Sequence, residues 1–366
     1  MSDIMADMKS QRKNCERTRR FAGARFGAIR AMVAFSVLAL GLFDARAAQL
    51  EKPNLKIVTG GTSSQIFFLI PALARQLGYF KDEGLNIEWF DAGSGAKGVQ
   101  ALLAGNADFT VGSYEHAIQL RAKGQPLTSI VVYNESAANV FGVTKERAAK
   151  IKDGKLDLKG AQIGVTSPGS STHMFATLVV RNAGLQDNDV AYIGVGTSAG
   201  AVAAFRGGKI DAMSNTDPII NELVGTGDMV IVADGRKLDD SKKYYGGPYV
   251  SGCLYTTADF IEKNPQTAQA IVNAIVRVFR WLRTADAEQI MKVLPPDYIG
   301  PDRDLYKRSI ESNIGSWSKT GLISADAAKT VQLNVARFDP SIGAEKVDLS
   351  KTYTNTFVEN ALKTFP

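Results

Sequence analysis

Ser170, Ser171 and Thr172, followed by His173, stand in "GVTSPGSSTHMFATLVV" (164–180), between a strand-like apolar run and a helix-like pattern. Hydroxyls and glycine at a helix start suit one chemistry well, the holding of an oxyanion. A helix N-terminus has unpaired N–H groups and about half a positive charge from its aligned peptide dipoles. A carboxylate, sulfonate or nitrate binds there without Arg or Lys. Ser and Thr add donors, and His173 adds another, charged if a bound anion raises its pKa. The same residue types are ordinary helix caps, worth about 1 kcal/mol each, and one turn alone does not separate the two readings.

Five further turns have the same character. "GGTSSQ" (60–65) offers Thr62, Ser63, Ser64 and Gln65, "GSGA" (93–96) offers Ser94, and "GSYEH" (112–116) offers Gly112, Ser113 and Tyr114. "GTSA" (196–199) offers Thr197, and "NTDP" (215–218) offers Asn215 and Asp217. Glu115 and Asp217 sit at equivalent strand ends, where a carboxylate receives an amine or serves packing; the structural role is expected for Glu115, and both readings stand for Asp217. Tyr114, Tyr244, Tyr245 and Tyr249 are candidate pocket walls, with core packing expected for at least two of them.

These turns are positioned by an internal repeat. "KIVTGGTSSQIFFLIPALARQLG" (56–78) resembles "QIGVTSPGSSTHMFATLVVRNAG" (162–184). "NIEWFDAGSGA" (86–96) matches "DVAYIGVGTSA" (189–199), and "AGNADFTVGS" (104–113) matches "GGKIDAMSNT" (207–216). Strand and helix patterns alternate, which implies parallel sheets with right-handed crossovers. The expected fold is α/β with two lobes and a ligand cleft beyond the strands' carboxyl ends. Lobe 1 is expected at 48–144 plus 246–366, lobe 2 at 145–245. "NPQTAQAIVNAIVRVFRWLRTA" (264–285) reads as a long helix with an Asn264 cap and Pro265 in its first turn. Shorter helices are expected over 302–316, 323–337 and 353–363.

The 366 residues carry a formal charge of +6. Residues 1–47 hold nine Lys/Arg and four Asp/Glu, so the rest is near balance, with 34 basic and 33 acidic residues. That balance gives no argument for a nucleic-acid or membrane-surface partner. The N-terminal segment has seven cations from Arg12 to Arg30, an apolar run at 31–43 and small residues at Ala45 and Ala47. It reads as a cleavable signal peptide over 1–47, its apolar run being shorter than the ~20 residues of a membrane span. "TRRF" (18–21) leaves twin-arginine export open. Cys15 leaves with that segment, and Cys253 is expected as buried packing. No dinucleotide fingerprint, Walker loop, metal motif or nucleophile elbow is present. No catalytic residue, metal or cofactor is therefore assigned.

With these residues in view, the chain resembles the nitrate/sulfonate/taurine-type substrate-binding proteins of bacterial ABC importers. The resemblance rests on "ALARQLGYFKDEGLNIEW" (72–89), "ALLAGNADFTVGS" (101–113), "LKGAQIGVTSPGSSTH" (158–173) and "AAFRGGKIDAMSNTDP" (203–218). It implies the type II periplasmic-binding fold, a periplasmic, monomeric binder of a small anionic or zwitterionic ligand, and delivery to an inner-membrane ABC permease. The family's ligand turns match Thr62 to Gln65, Gly112 to Tyr114, Ser170 to His173, and Asn215 to Asp217. Its ligands include nitrate, alkanesulfonates, taurine, aromatic carboxylates and a thiamine pyrimidine precursor. A related branch, a pyridoxal-dependent pyrimidine synthase, is the alternative implied.

Overall fold

The computed structural model describes residues 49–61, 64–151 and 156–366. The expected signal peptide, Thr62 and Ser63 lie outside them. In the first half the strands are β1 (Asn54–Thr59), β2 (Asn86–Asp91), β3 (Phe109–Ser113), β4 (Leu127–Val132) and β5 (Val140–Thr144). The second half has β6 (Gln162–Val165), β7 (Ala191–Gly194), β8 (Ala212–Asn215), β9 (Met229–Asp234) and β10 (Gly252–Thr257). They form two five-stranded sheets, ordered β2-β1-β3-β10-β4 and β7-β6-β8-β5-β9.

The sequence repeat is a repeat of topology. β1 is parallel to β2 and β3, as β6 is to β7 and β8. In each sheet one strand from the far half enters antiparallel, β10 in the first and β5 in the second. The register shifts at matching places, Leu254/Tyr255 and Phe141/Gly142. The chain thus changes sheet between β4 and β5 and again between β9 and β10. The boundary expected at 144/145 falls one strand past the first exchange, because β5 pairs with β8 and β9 rather than with its sequence neighbour β4. Central strands such as β3 are buried along their whole length, as in a sheet covered on both faces.

The helices that bear on the site are α1 (Leu69–Gln76), α2 (Gly95–Leu103), α3 (Glu115–Ala122), α4 (Ser171–Asn182), α5 (Ala199–Arg206) and α6 (Ile219–Gly225). Beyond them come α7 (Leu238–Tyr245), α8 (Pro265–Leu282), α9 (Arg303–Asn313), α10 (Ala325–Phe338) and α11 (Thr356–Thr364). α8 buries Ala268, Ile271, Val272, Ile275, Val278 and Phe279 in the larger core. Pro265 opens it as expected, but Asn264 is not the side-chain cap. Its amide donates back to the Phe260 carbonyl. The Glu51 carboxylate accepts from Gln266 N–H and Thr267 N–H instead, at 3.1 and 3.0 Å. Cys253 is a buried free thiol on β10, raised well above the usual range by burial.

Candidate functional site

Beyond the carboxyl ends of both sheets lies a cavity with about 360 Å³ of atom-free space, its open mouth included. Gly60, Ser113, Thr166 and Thr216 directly follow or end β1, β3, β6 and β8 and line it. Gln65, Gly95, Gly112 and His116 join them from the first sheet's turns, and Ser170, Ser171, Thr172 and Thr197 from the second's. Phe67 and Phe68 form an apolar wall, and Asn139 comes from the crossing that leads into β5. Among the described residues that line it, none is Lys, Arg, Asp or Glu.

Close backbone approach builds the first-sheet side. A Cβ on Gly60 would lie 2.6 Å from Gly95 Cα, and one on Gly95 would lie 2.9 Å from the His116 ring. Glycine is required there by space.

The second-sheet side separates structural hydroxyls from free ones. Ser170 Oγ donates to the Ser167 carbonyl at 2.8 Å and accepts from Thr166 Oγ1 at 2.8 Å. Thr172 Oγ1 accepts from Thr166 N–H at 3.0 Å and lies 2.8 Å from Ser170 Oγ. The protons of this trio are used within the turn. Ser170 does not cap α4 with its side chain, and the first-turn N–H groups of Ser171, Thr172 and His173 have no side-chain partner among the described residues. The Ser171 and Thr197 hydroxyls make no hydrogen bond to another described residue. Thr216 Oγ1 accepts from the Gln65 amide at 3.1 Å and keeps its own proton. The cavity therefore presents neutral donors around an uncapped helix start.

Behind Ser113 sits a buried acid–base pair of neighbours. Glu115 is 1% exposed. It accepts from the Ser113 hydroxyl, and from the Tyr249 hydroxyl at 2.6 Å. Burial raises its pKa to about 7, against the pull of the Tyr249 bond. The His116 ring meets the Tyr255 hydroxyl through Nδ1 at 3.1 Å. Burial lowers its pKa to about 4, with the Gly169 backbone opposing. At neutral pH the imidazole is uncharged.

Several expected site residues stand elsewhere. Tyr114 is fully buried, its hydroxyl 2.6 Å from Thr352 Oγ1. His173 turns away: its Nδ1 accepts from Gly169 N–H at 3.0 Å, and its ring packs edge-on against Tyr192 and Phe338. Burial lowers its pKa, with Asp187 opposing. Ser94 caps α2, accepting from Lys97 N–H at 3.3 Å. Asn215 donates to the Gly196 carbonyl and accepts from Thr216 N–H. Asp217 pairs with Arg236 at 3.0 Å and accepts from Asn313 at 2.7 Å. Ser64 does not line the cavity. Gln65, Gly112, Ser113, Ser170, Ser171, Thr172 and Thr197 do. Phe67, Phe68, His116, Asn139, Thr166 and Thr216 were not expected. His116, Thr166 and Thr216 lie in or beside the quoted turns, whereas Asn139 carries no local signal.

Among the described residues, three hydrogen bonds join the two sheets' turns across the cleft. Ile66 N–H donates to the Asp217 carbonyl at 3.1 Å, the Gln65 amide to Thr216, and Ser167 Oγ to Ser94 Oγ at 3.0 Å. Outside the last of these a wider groove holds Asp91 and Lys97 and shares Thr166 and Thr197 with the cavity.

The family model described as NMT1/THI5 like matches residues 67–286, more than half of the chain. The chain belongs to the NMT1/THI5-like family. This NMT1/THI5-like chain is 41% identical to a solved protein of Bordetella bronchiseptica RB50, with 87% of this chain and 99% of that one covered and a TM-score of 0.83. It also matches the alkanesulfonate-binding protein SsuA of Xanthomonas axonopodis pv. citri, solved with MOPS bound, at 20% identity, 83% and 98% coverage and a TM-score of 0.62. The taurine-binding periplasmic protein of Escherichia coli K12 is 22% identical over 276 residues, 75% of this chain and 78% of that protein. The alignment with an aliphatic sulfonates-binding relative of the same organism spans 56% of that relative's length. These likenesses and the twin sheets place the NMT1/THI5-like chain in the periplasmic-binding-protein fold.

Proposed function

We propose that the protein is the periplasmic solute-binding component of an ABC importer, a non-catalytic monomer that takes a small oxyanion into the inter-lobe cavity and hands it to an inner-membrane permease. The observation that carries this reading is the uncapped start of α4, opening on a cavity whose remaining free groups are neutral donors. The names of the relatives support the solute class and the compartment. The lobes are proposed as the two sheets with their helices, and the leader as the export signal. A pyridoxal-dependent enzyme would need a lysine to hold its cofactor as a Schiff base; none stands among the described lining residues.

Titration calorimetry with ethanesulfonate, propionate and nitrate, with a parallel assay for ligand turnover, tests the proposal. Stoichiometric binding of at least one anion, recovered unchanged, is the expected result. Absence of binding to all three, or chemical conversion of the bound anion, overturns it.

The two adjacent serines are expected to behave oppositely. Ser171→Ala removes a free hydroxyl donor and is expected to weaken anion binding about tenfold, the worth of one hydrogen bond to a charged group, with an unchanged melting temperature. Ser170→Ala breaks the hydroxyl trio and is expected to lower stability by about 1–2 kcal/mol. Calorimetry on the first and urea denaturation on the second check the pair.

A further inference from the structure

Asn139 is 1% exposed and lines the cavity, yet neither its amide nitrogen nor its carbonyl oxygen has a hydrogen-bond partner of good geometry among the described residues. Buried polar groups are paired in almost all native structures, and a carboxamide left unpaired at a cavity wall is placed to take a partner from outside the chain. The Tyr245 hydroxyl, also buried, lies beside the amide and interacts with one end of it, which leaves the other end open.

The backbone is arranged to keep that side chain in place. Ala138 has φ +56°, a left-handed conformation that is strained for an L-residue. It is held there by a bond from its N–H to the Gly235 carbonyl at 2.9 Å, and the Gly235 N–H returns one to the Asn139 carbonyl at 2.8 Å. Asn139 is thereby clamped where both crossings between the sheets meet. Backbone strain maintained beside an unpaired buried amide fits a residue set for a ligand.

We infer that Asn139 selects oxyanions that carry a neutral hydrogen-bond donor, a hydroxyl above all, a few bonds from the anionic group. This rests on the proposed reading of the cavity as an anion site. A hydroxyl both donates and accepts, and so matches whichever end of the carboxamide Tyr245 leaves open. Ser113, whose proton goes to Glu115, adds a second acceptor at the wall. An ammonium in the same place is disfavoured, because no described lining residue carries negative charge and Asp217 is committed to Arg236. Phe67 and Phe68 suit the short carbon chain between the two groups.

The test is calorimetric titration of the full protein with two matched series: ethanesulfonate, 2-hydroxyethanesulfonate and taurine; and propionate, 3-hydroxypropionate and β-alanine. In at least one series the hydroxylated anion is expected to bind at least about tenfold more tightly than the plain anion, and the ammonium member most weakly. Asn139→Ala and the near-isosteric Asn139→Leu are expected to remove the hydroxyl preference, weakening the hydroxylated anion at least about tenfold more than the plain one. Both variants are expected to melt no lower than the parent without ligand, since they delete unpaired polar atoms. Equal binding of plain and hydroxylated anions, or tighter binding of the ammonium member, overturns the inference but leaves the anion site standing. Loss of folding in both variants, or a preference that survives them, assigns Asn139 to the scaffold and also overturns it. If no member of either series binds, the anion-site reading falls and this inference with it.

Discussion

Arg236→Met is expected to cost about 3–5 kcal/mol of folding stability, the range for removing one partner of a buried ion pair. The guanidinium meets Asp217 at 3.0 Å and Asp234 at 2.6 Å, with side-chain exposures of 7% for Arg236 and 0% for Asp217. It also donates to Asn221 on α6 at 3.0 Å. Burial works against the Arg236 charge, but the Asp234 bonds and the Asp217 charge more than offset it and hold its pKa above the usual value. Without it the Asp217 carboxylate keeps only neutral donors, Asn313 and Asn221 N–H. Adding Asp217→Asn to Arg236→Met removes the stranded charge and is expected to recover part of the loss. Urea denaturation of the two singles and the double gives the coupling energy; a double variant no more stable than Arg236→Met contradicts the pairing.

Glu115→Gln is expected to stabilise the protein at pH 8 by about 3 kcal/mol and to leave it unchanged near pH 4.5. The carboxyl titrates at about 7 in the fold, against 4.5 for the free group. Between those values the native state holds a proton that the unfolded state has released, so stability falls as pH rises, by about 1.4 kcal/mol per pH unit. His116 acts in the opposite sense: its pKa drops from 6.5 to about 4. Between those values the unfolded state holds the extra proton, so stability rises with pH. The two slopes cancel over roughly pH 4.5–6.5 in the parent. Glu115→Gln exposes the histidine limb, and His116→Gln exposes the glutamate limb. Denaturation midpoints from pH 4 to 8 distinguish these cases; parallel profiles for the parent and both variants would refute the assignment.

The fold is legible in the sequence because both sheets are written twice in the same order. The repeat of 56–113 in 162–216 gives β1, β2 and β3 and their counterparts, and the described residues of the turns at 60–65, 112–116 and 166–173 fall at strand ends where a cleft forms. The order of residues does not reveal which side chain in a turn faces inward. Ser170 and Ser171 are adjacent and chemically identical, yet one is used up by Ser167 and Thr172 while the other remains free. His173 and Asp217 have the chemistry of ligand groups, but their partners, Gly169 N–H and Arg236, are chosen by packing. Asn139 is the opposite case, an unremarked residue in "SAANVFG" brought to the wall by its clamp with Gly235, 96 positions along the chain. Glu51 at the head of α8 was likewise invisible, since a helix start advertises its own residues and not a carboxylate folded onto it from 215 positions away.

The bonds from Ile66, Gln65 and Ser167 across the cleft bear on kinetics as well as affinity. On the proposed reading these bonds narrow the way out without sealing it, so an occupant's residence time depends both on how often the halves separate and on how strongly it is held. Loosening the Ser94–Ser167 bridge at the rim would then hasten escape for every occupant alike, whereas a change to one contact inside would act only on the occupants that make it.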